Sequence, residues 1–406
     1  MMVECNEFTK EQFLEATNRI KDVLKETKLV YSNIFSKESG NDIYIKPENL
    51  QVTGAFKIRG AYNKISKLTE EEKKKGLITS SAGNHAQGVA LAAQRLGVKA
   101  TIVMPKATPL IKVEATKNFG ANVVLHGDCY DEAYEEAKRL EEKNGYTFVH
   151  PFNDIDVIEG QGTIAIEILN ELKDVDCIIV PVGGGGLISG IAVAAKLINP
   201  KIKIIGVEPE GANAVKLSIE NDKVISLDNL KTIADGVAVK TPGDLNFKLI
   251  KKYVDEIVTV SDLEVMEAFL ILLEKHKLIG ETSGVLPLAA LRKINEKNKK
   301  IACVISGGNI DVLTIASMID RGLVSRGRKF CFTVELLDKP GQLQKVSQIL
   351  GDLNANIIKL DHNKFKTFDA FMQVQLEVTV ETNGHEHVQL ITDELERKGF
   401  KIVKVY

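Results

Sequence analysis

Charge of one sign, paired cysteines and long apolar runs are all missing from this chain. Its 53 Lys and Arg against 55 Asp and Glu leave a formal net charge of −2, which gives no electrostatic basis for a nucleic-acid or membrane partner. The five cysteines, Cys5, Cys129, Cys177, Cys303 and Cys331, lie far apart with no CxxC pair. A disulfide framework or a zinc site is therefore not expected, and no metal ligand is assigned. Cys177 and Cys303 sit in apolar, strand-like runs, where a reduced thiol behaves as a small hydrophobe. The N-terminus carries Glu4, Glu7 and Lys10 and no apolar run, unlike a signal peptide. No uncharged apolar stretch reaches bilayer length. A cytoplasmic protein acting on a small molecule is the expectation.

With 406 residues, 44% hydrophobic and 27% charged, the chain suits two or three globular domains. Short β-branched runs alternate with helical patterns through its middle, as in a parallel sheet. One block takes strands near Leu77–Thr79, Ala100–Met104, Asn122–Leu125 and Tyr146–Val149, with helices between them. A second takes strands at Cys177–Val180, Ile202–Val207, Glu256–Val260 and Ile301–Ile305. Continuous apolar strands predict sheets covered on both faces, with ligands beyond the strands' carboxyl ends. A basic, glycine-punctuated stretch, Arg321 to Lys329, predicts a boundary. Beyond it the pattern reads strand, helix, strand, strand, helix, strand, the ferredoxin-like layout.

Four motifs fall at strand ends or helix starts. Lys57 stands in Thr53-Gly54-Ala55-Phe56-Lys57-Ile58-Arg59-Gly60, beside small residues and a ring able to pack against a planar cofactor. A lysine amine bonds an aldehyde cofactor when desolvation or nearby charge keeps part of it neutral. Alone, it reads as a solvated surface charge. Ser80-Ser81-Ala82-Gly83-Asn84-His85 opens a helix, where backbone N–H groups bind anions such as a carboxylate. Ordinary N-capping explains the same residues. Gly183, Gly184, Gly185 and Gly186, followed by Leu187, link a strand to a helix and form a phosphate cup. The dinucleotide pattern G-x-G-x-x-G fails here, because its last glycine falls on Ile188 or Ser189. Ser306-Gly307-Gly308-Asn309 follows a buried strand, and Ser306 reads equally as a turn residue or a partner for a ring nitrogen. Glu208 and Glu281 lie beside turns, where carboxylates are commonly solvated.

In this order the motifs resemble the threonine dehydratases (threonine ammonia-lyases), fold-type II pyridoxal phosphate enzymes related to the tryptophan synthase β subunit. The resemblance covers roughly residues 10 to 320. It implies a two-domain α/β fold with parallel sheets over 1–325, including a small mobile subdomain roughly over 50–150. A C-terminal ferredoxin-like (ACT) α+β domain over 329–406 would follow. Lys57 would hold the cofactor, with Phe56, Asn84, Gly183 to Gly186, Leu187 and Ser306 around it. Ser81, Gly83 and His85 would line the substrate carboxylate loop. The turn Asp338-Lys339-Pro340-Gly341 resembles the ligand-binding turn of ACT domains, with Asp338, Gly341, Asn356 and Ile357 as effector contacts. An amino-acid or nucleotide effector and a homo-oligomer, dimer or tetramer, are implied.

The implied reaction is loss of the β-hydroxyl from L-threonine, giving 2-oxobutanoate and ammonia. A neutral serine opposite the ring nitrogen favours elimination over transamination. L-serine dehydration is the alternative, since one methyl in a pocket discriminates by only about 1–3 kcal/mol. Serine racemases of this fold carry a serine as acid/base where this chain has Ala82. The relatives' cation site has Glu208 here, but Ala214 replaces its expected aspartate.

Overall fold

The computed structural model describes residues 8–363 and 373–406. It divides into two compact units, Met1–Ile310 and Asp311–Tyr406. The division precedes the basic stretch at Arg321–Lys329, whose first half closes the helix Val312–Ser325.

The first unit holds two sheets. The larger orders its strands Val30–Tyr31, Asp42–Pro47, Lys300–Ile305, Cys177–Pro181, Lys203–Pro209 and Glu256–Val260. All neighbours pair parallel except the short first strand. The smaller sheet, Asn122–Leu125, Ala100–Met104, Leu77–Ser80 and Thr147–Phe148, is wholly parallel. Cys177–Pro181 and Ala100–Met104 are buried at every position, as strands covered by helices on both faces must be. The strand Asp42–Pro47 departs from the apolar pattern. Its Lys46 is 1% exposed and pairs with Glu167 at 2.6 Å.

The lysine motif is anchored through that charge cluster. Lys57 opens the helix Lys57–Ser66, and Arg59 lies wholly buried two residues on. Arg59 donates to both oxygens of Glu48, at 2.7 and 2.8 Å, and to both of Glu167, at 2.6 and 2.9 Å. Two bidentate pairs fix the guanidinium in plane and position. The helix Asn84–Leu96 packs against the same turn, because a Cβ at Gly88 would fall 3.0 Å from the Lys57 carbonyl carbon.

In the second unit the sheet order is Asn356–Asn363, Gln373–Glu381, Lys329–Leu337, Ile402–Lys404, all antiparallel. With helices Gln342–Asp352 and His385–Arg397 this is the ferredoxin-like arrangement. Phe330, Phe332, Val334 and Leu336 face its core with Val346, Leu350 and Ile391.

Candidate active site

Three distant stretches of sequence meet at the lysine. The Phe56 N–H donates to the carbonyl oxygen of Ser306 at 3.0 Å, and the Gly308 N–H to that of Gly54 at 2.8 Å. Asn309 Nδ2 donates to the carbonyl oxygen of Thr53 at 2.7 Å and to Asn84 Oδ1 at 2.8 Å. Ser306 itself is 3% exposed at the end of the strand Lys300–Ile305.

Lys57 Nζ donates to the carbonyl oxygen of Pro151 at 2.7 Å and lies 5.1 Å from the centre of the Phe56 ring. Burial pulls its pKa down to about 8, against the opposing charge of Glu281. Roughly a tenth of such an amine is neutral at pH 7, against less than about a thousandth at the ordinary lysine value. That is the condition a carbonyl-bonding lysine needs.

The Ser80–His85 turn follows the strand Leu77–Ser80. Ser81 Oγ accepts from the Gly83 N–H at 3.3 Å, and the Ser81 N–H donates to Val103. The N–H groups of Ala82, Asn84 and His85 find no acceptor among the described residues. His85 is 3% exposed, with Nε2 3.0 Å from the carbonyl oxygen of Val149. Burial, with the Lys57 charge, drops its pKa to about 3, so the ring stays neutral and Nε2 donates.

The glycine run connects Cys177–Pro181 to the helix Gly186–Ile198. Gly185 has φ +94°, a left-handed conformation that glycine adopts without strain. Asn246 Nδ2 donates to the carbonyl oxygens of Gly184 at 2.8 Å and Phe152 at 3.0 Å, tying the loop to its surroundings. The N–H groups of Gly183 through Leu187 donate to no acceptor among the described residues. A run of free donors at a helix start suits a phosphate.

Two carboxylates differ from the solvated picture. Glu208 is 1% exposed and accepts from the N–H groups of Val215 and Lys216, at 2.9 and 2.8 Å. It caps the helix beginning at Ala214. Burial raises its carboxyl to about 7. Among the described residues no group of acids, histidines and cysteines is arranged to hold a metal. Glu281, 6% exposed, accepts from Asn84 Nδ2 at 2.8 and 3.0 Å. Sequence reasoning weighed Glu281 as a cation-site member against a solvated turn carboxylate, gave Asn309 no role of its own within the Ser306 motif, and passed over Asn246. For Glu281 the signal was its setting between Gly280 and Ser283-Gly284, small residues that let backbone close around a side chain.

Residues 20–307 match the family described as pyridoxal-phosphate dependent enzyme. The chain belongs to this family. Its members take pyridoxal phosphate as cofactor, and the fit is testable on the site. A desolvated amine at Lys57 and five unanswered N–H groups from Gly183 to Leu187 match an aldehyde and a phosphate. The chain is 49% identical over 395 residues to an L-threonine ammonia-lyase of Thermotoga maritima, covering 97% of this chain and 98% of that one. Among solved structures, the processed form of threonine deaminase isoform 2 from Solanum lycopersicum is 41% identical with a TM-score of 0.74. That match covers 78% of this chain and 89% of that one. Maize serine racemase is 37% identical with a TM-score of 0.74, covering 79% and 99%.

In the second unit, Asp338 and Gly341 lie in the turn between Lys329–Leu337 and Gln342–Asp352, Gly341 with φ +87°. Asn356 and Ile357 open the next strand, and Asn356 Nδ2 donates to Glu381 at 2.9 Å. A cleft of about 650 Å³ beside the turn is lined by Gln342, Lys345, Gln348, Asp352, Glu394 and Lys398, and by none of these four. No described helix is long and apolar enough to cross a membrane.

Proposed function

We propose that this chain is an L-threonine ammonia-lyase, converting L-threonine to 2-oxobutanoate and ammonia. The observation that carries the reading is Lys57: a buried amine with its pKa near 8, where three of the four motifs meet. Similarity across 97% of the chain to a protein of that name supports it.

When bound, pyridoxal phosphate supplies a conjugated ring that accepts the electron pair left by a breaking Cα–H bond, so that a β-hydroxyl departs. Lys57 would hold its carbonyl carbon, the N–H groups of Gly183 to Leu187 its phosphate, and Asn84 and Ser306 its ring substituents. Phe56, packed under the lysine, would flank the ring. The remaining work falls to the chain. The Lys57 amine, released when the substrate amine takes its place on that carbonyl carbon, would take the Cα proton through its neutral fraction, which burial sets. The N–H groups of Ala82, Asn84 and His85, with the Ser81 hydroxyl and the Gly83 turn, would orient the substrate carboxylate at the helix start. His85, neutral and bonded to Val149, moves no proton and holds the turn against the sheet.

Ala82 offers no second proton carrier. Incubation of the holoenzyme with L-serine or L-threonine is therefore expected to yield keto acid without D-enantiomer, measured by chiral chromatography. Substantial D-serine or D-threonine would overturn the role assigned to this position.

We read the second unit as an ACT-like regulatory domain that responds to an amino acid or a nucleotide, with Asp338, Gly341, Asn356 and Ile357 as contacts. A homo-oligomer, dimer or tetramer, is its natural setting, because such domains pair. The free, buried Cys177 and Cys303 suit a reducing cytoplasm. Isoleucine or valine should shift the threonine saturation curve of the full chain, and Asp338→Ala should abolish the shift. A wild-type curve indifferent to amino acids and nucleotides would remove the regulatory reading.

A further inference from the structure

The carboxylate of Glu281 has no task in the scheme above, yet it is buried and held by the Asn84 amide. It lies on the loop after the helical segment Leu272–His276, and its own N–H donates to the carbonyl oxygen of Gly307 at 2.8 Å. Gly236 lies beside it, where a Cβ would come within 3.4 Å of Glu281 Oε1. Both its oxygens accept from Asn84 Nδ2.

The chain of donors through Asn84 has only one sense. Asn309 spends both Nδ2 hydrogens, one on Thr53 and one on Asn84 Oδ1. Turning the Asn84 amide over would set its oxygen against a carboxylate and its NH₂ against the NH₂ of Asn309. Two acceptors would face each other, and two donors, each buried group losing its partner. Glu281 and Asn309 thus hold the amide from opposite sides.

Charge adds a second effect. The Glu281 carboxylate works against burial at Lys57, favouring the protonated nitrogen. The other charged groups that act on Glu281 are Asp235, from the turn Asp235–Val237, and Lys112, from the helix Leu110–Asn118. These two pair with each other at 3.7 Å, so their fields at Glu281 largely oppose.

We propose that Glu281 is a positioning residue for the lysine–cofactor bond: it fixes the Asn84 amide, and its negative charge holds a proton on the Lys57 nitrogen. The inference rests on the reading that Lys57 carries pyridoxal phosphate. Burial raises the Glu281 carboxyl to about 7, so the charge is present above that pH and fades below it. The nitrogen's own proton is lost as pH rises. Glu281 therefore acts in the window between the two titrations.

The test is a pH titration of the visible absorbance band of the holoenzyme, which reports protonation of the lysine-linked nitrogen. Glu281→Gln keeps the size and one acceptor but removes the charge. It should retain the band and lower its midpoint by about one pH unit, the effect of one nearby charge. Glu281→Asp, which restores the charge, should recover most of the shift. An E281Q midpoint equal to wild type overturns the proposal. Should E281Q fail to fold, the wild-type curve decides: coupling to a carboxyl near neutrality gives two steps, and a single step overturns it. A wild-type protein with no band at all overturns the proposed function, and this inference with it.

Discussion

Lys57→Ala is expected to yield a folded, colourless protein that releases no 2-oxobutanoate from L-threonine in the presence of pyridoxal phosphate. Two tasks are lost together, the bond to the cofactor and the base for the Cα proton. Loss of a positioned base alone costs about 10²–10⁴-fold, so keto acid release should fall by at least about 10³-fold. Folding should survive. The side chain makes one hydrogen bond, to Pro151, and occupies the first position of its helix, where alanine is well tolerated. Keto acid release by wild type alone, with thermal unfolding of the variant close to wild type, would support both roles. A variant that keeps more than about a hundredth of wild-type turnover would exclude Lys57 as that base.

Arg59→Met should have the largest effect on stability. Its guanidinium is wholly buried between Glu48, also buried, and the partly exposed Glu167. Methionine restores volume but leaves Glu48 charged and without its bidentate partner. Removing one member of a buried ion pair costs about 3–5 kcal/mol, a large part of a typical domain's margin. Urea unfolding of the full chain should show a lower midpoint, and Arg59→Lys should fall between, since an ammonium cannot fork. A midpoint within error of wild type would show that the cluster contributes nothing net. The defect should narrow in acid. Burial pushes the Glu167 carboxyl up, but Arg59 and Lys46 pull it further down, below its ordinary value. A depressed carboxyl contributes stability above its unfolded pKa of about 4.3, lost as pH falls through the folded value.

Periodicity carried most of the architecture. Leu77–Ser80, Ala100–Met104, Cys177–Pro181, Lys203–Pro209 and Lys300–Ile305 were legible because burial on both faces leaves a continuous apolar run. The partly exposed Asn122–Leu125, Thr147–Phe148 and Glu256–Val260 were legible from their β-branched and aromatic residues. Asp42–Pro47 was not, because Lys46 and Pro47 break such a run. Lys46 is buried against Glu167 and Glu171, more than a hundred residues away, and the carbonyl oxygen of Thr27. The same limit applied at the site. Lys57, the glycine run and Ser306 were marked by local chemistry at helix starts and strand ends. Glu281 looked like a turn carboxylate because nothing nearby in sequence says that Asn84 will cover it. Glu208 was visible as a candidate ligand, yet its oxygens are taken by the helix that Ala214 begins. Which acids are buried depends on partners that only the fold brings close.

The order of strands in the larger sheet bears on how the protein is made. Lys300–Ile305 lies between Asp42–Pro47 and Cys177–Pro181, hydrogen-bonded to both. During synthesis the strand that arrives last is therefore the one that joins the earlier two. Until it leaves the ribosome, both keep a hydrogen-bonding edge without its neighbour, and Thr53 and Asn84 lack the amide of Asn309. Non-local pairing of this kind folds slowly and exposes edges meanwhile. The smaller sheet, complete by Phe148, has no such wait, so the nascent chain carries one finished layer and one open one from Phe148 until Ile305 emerges.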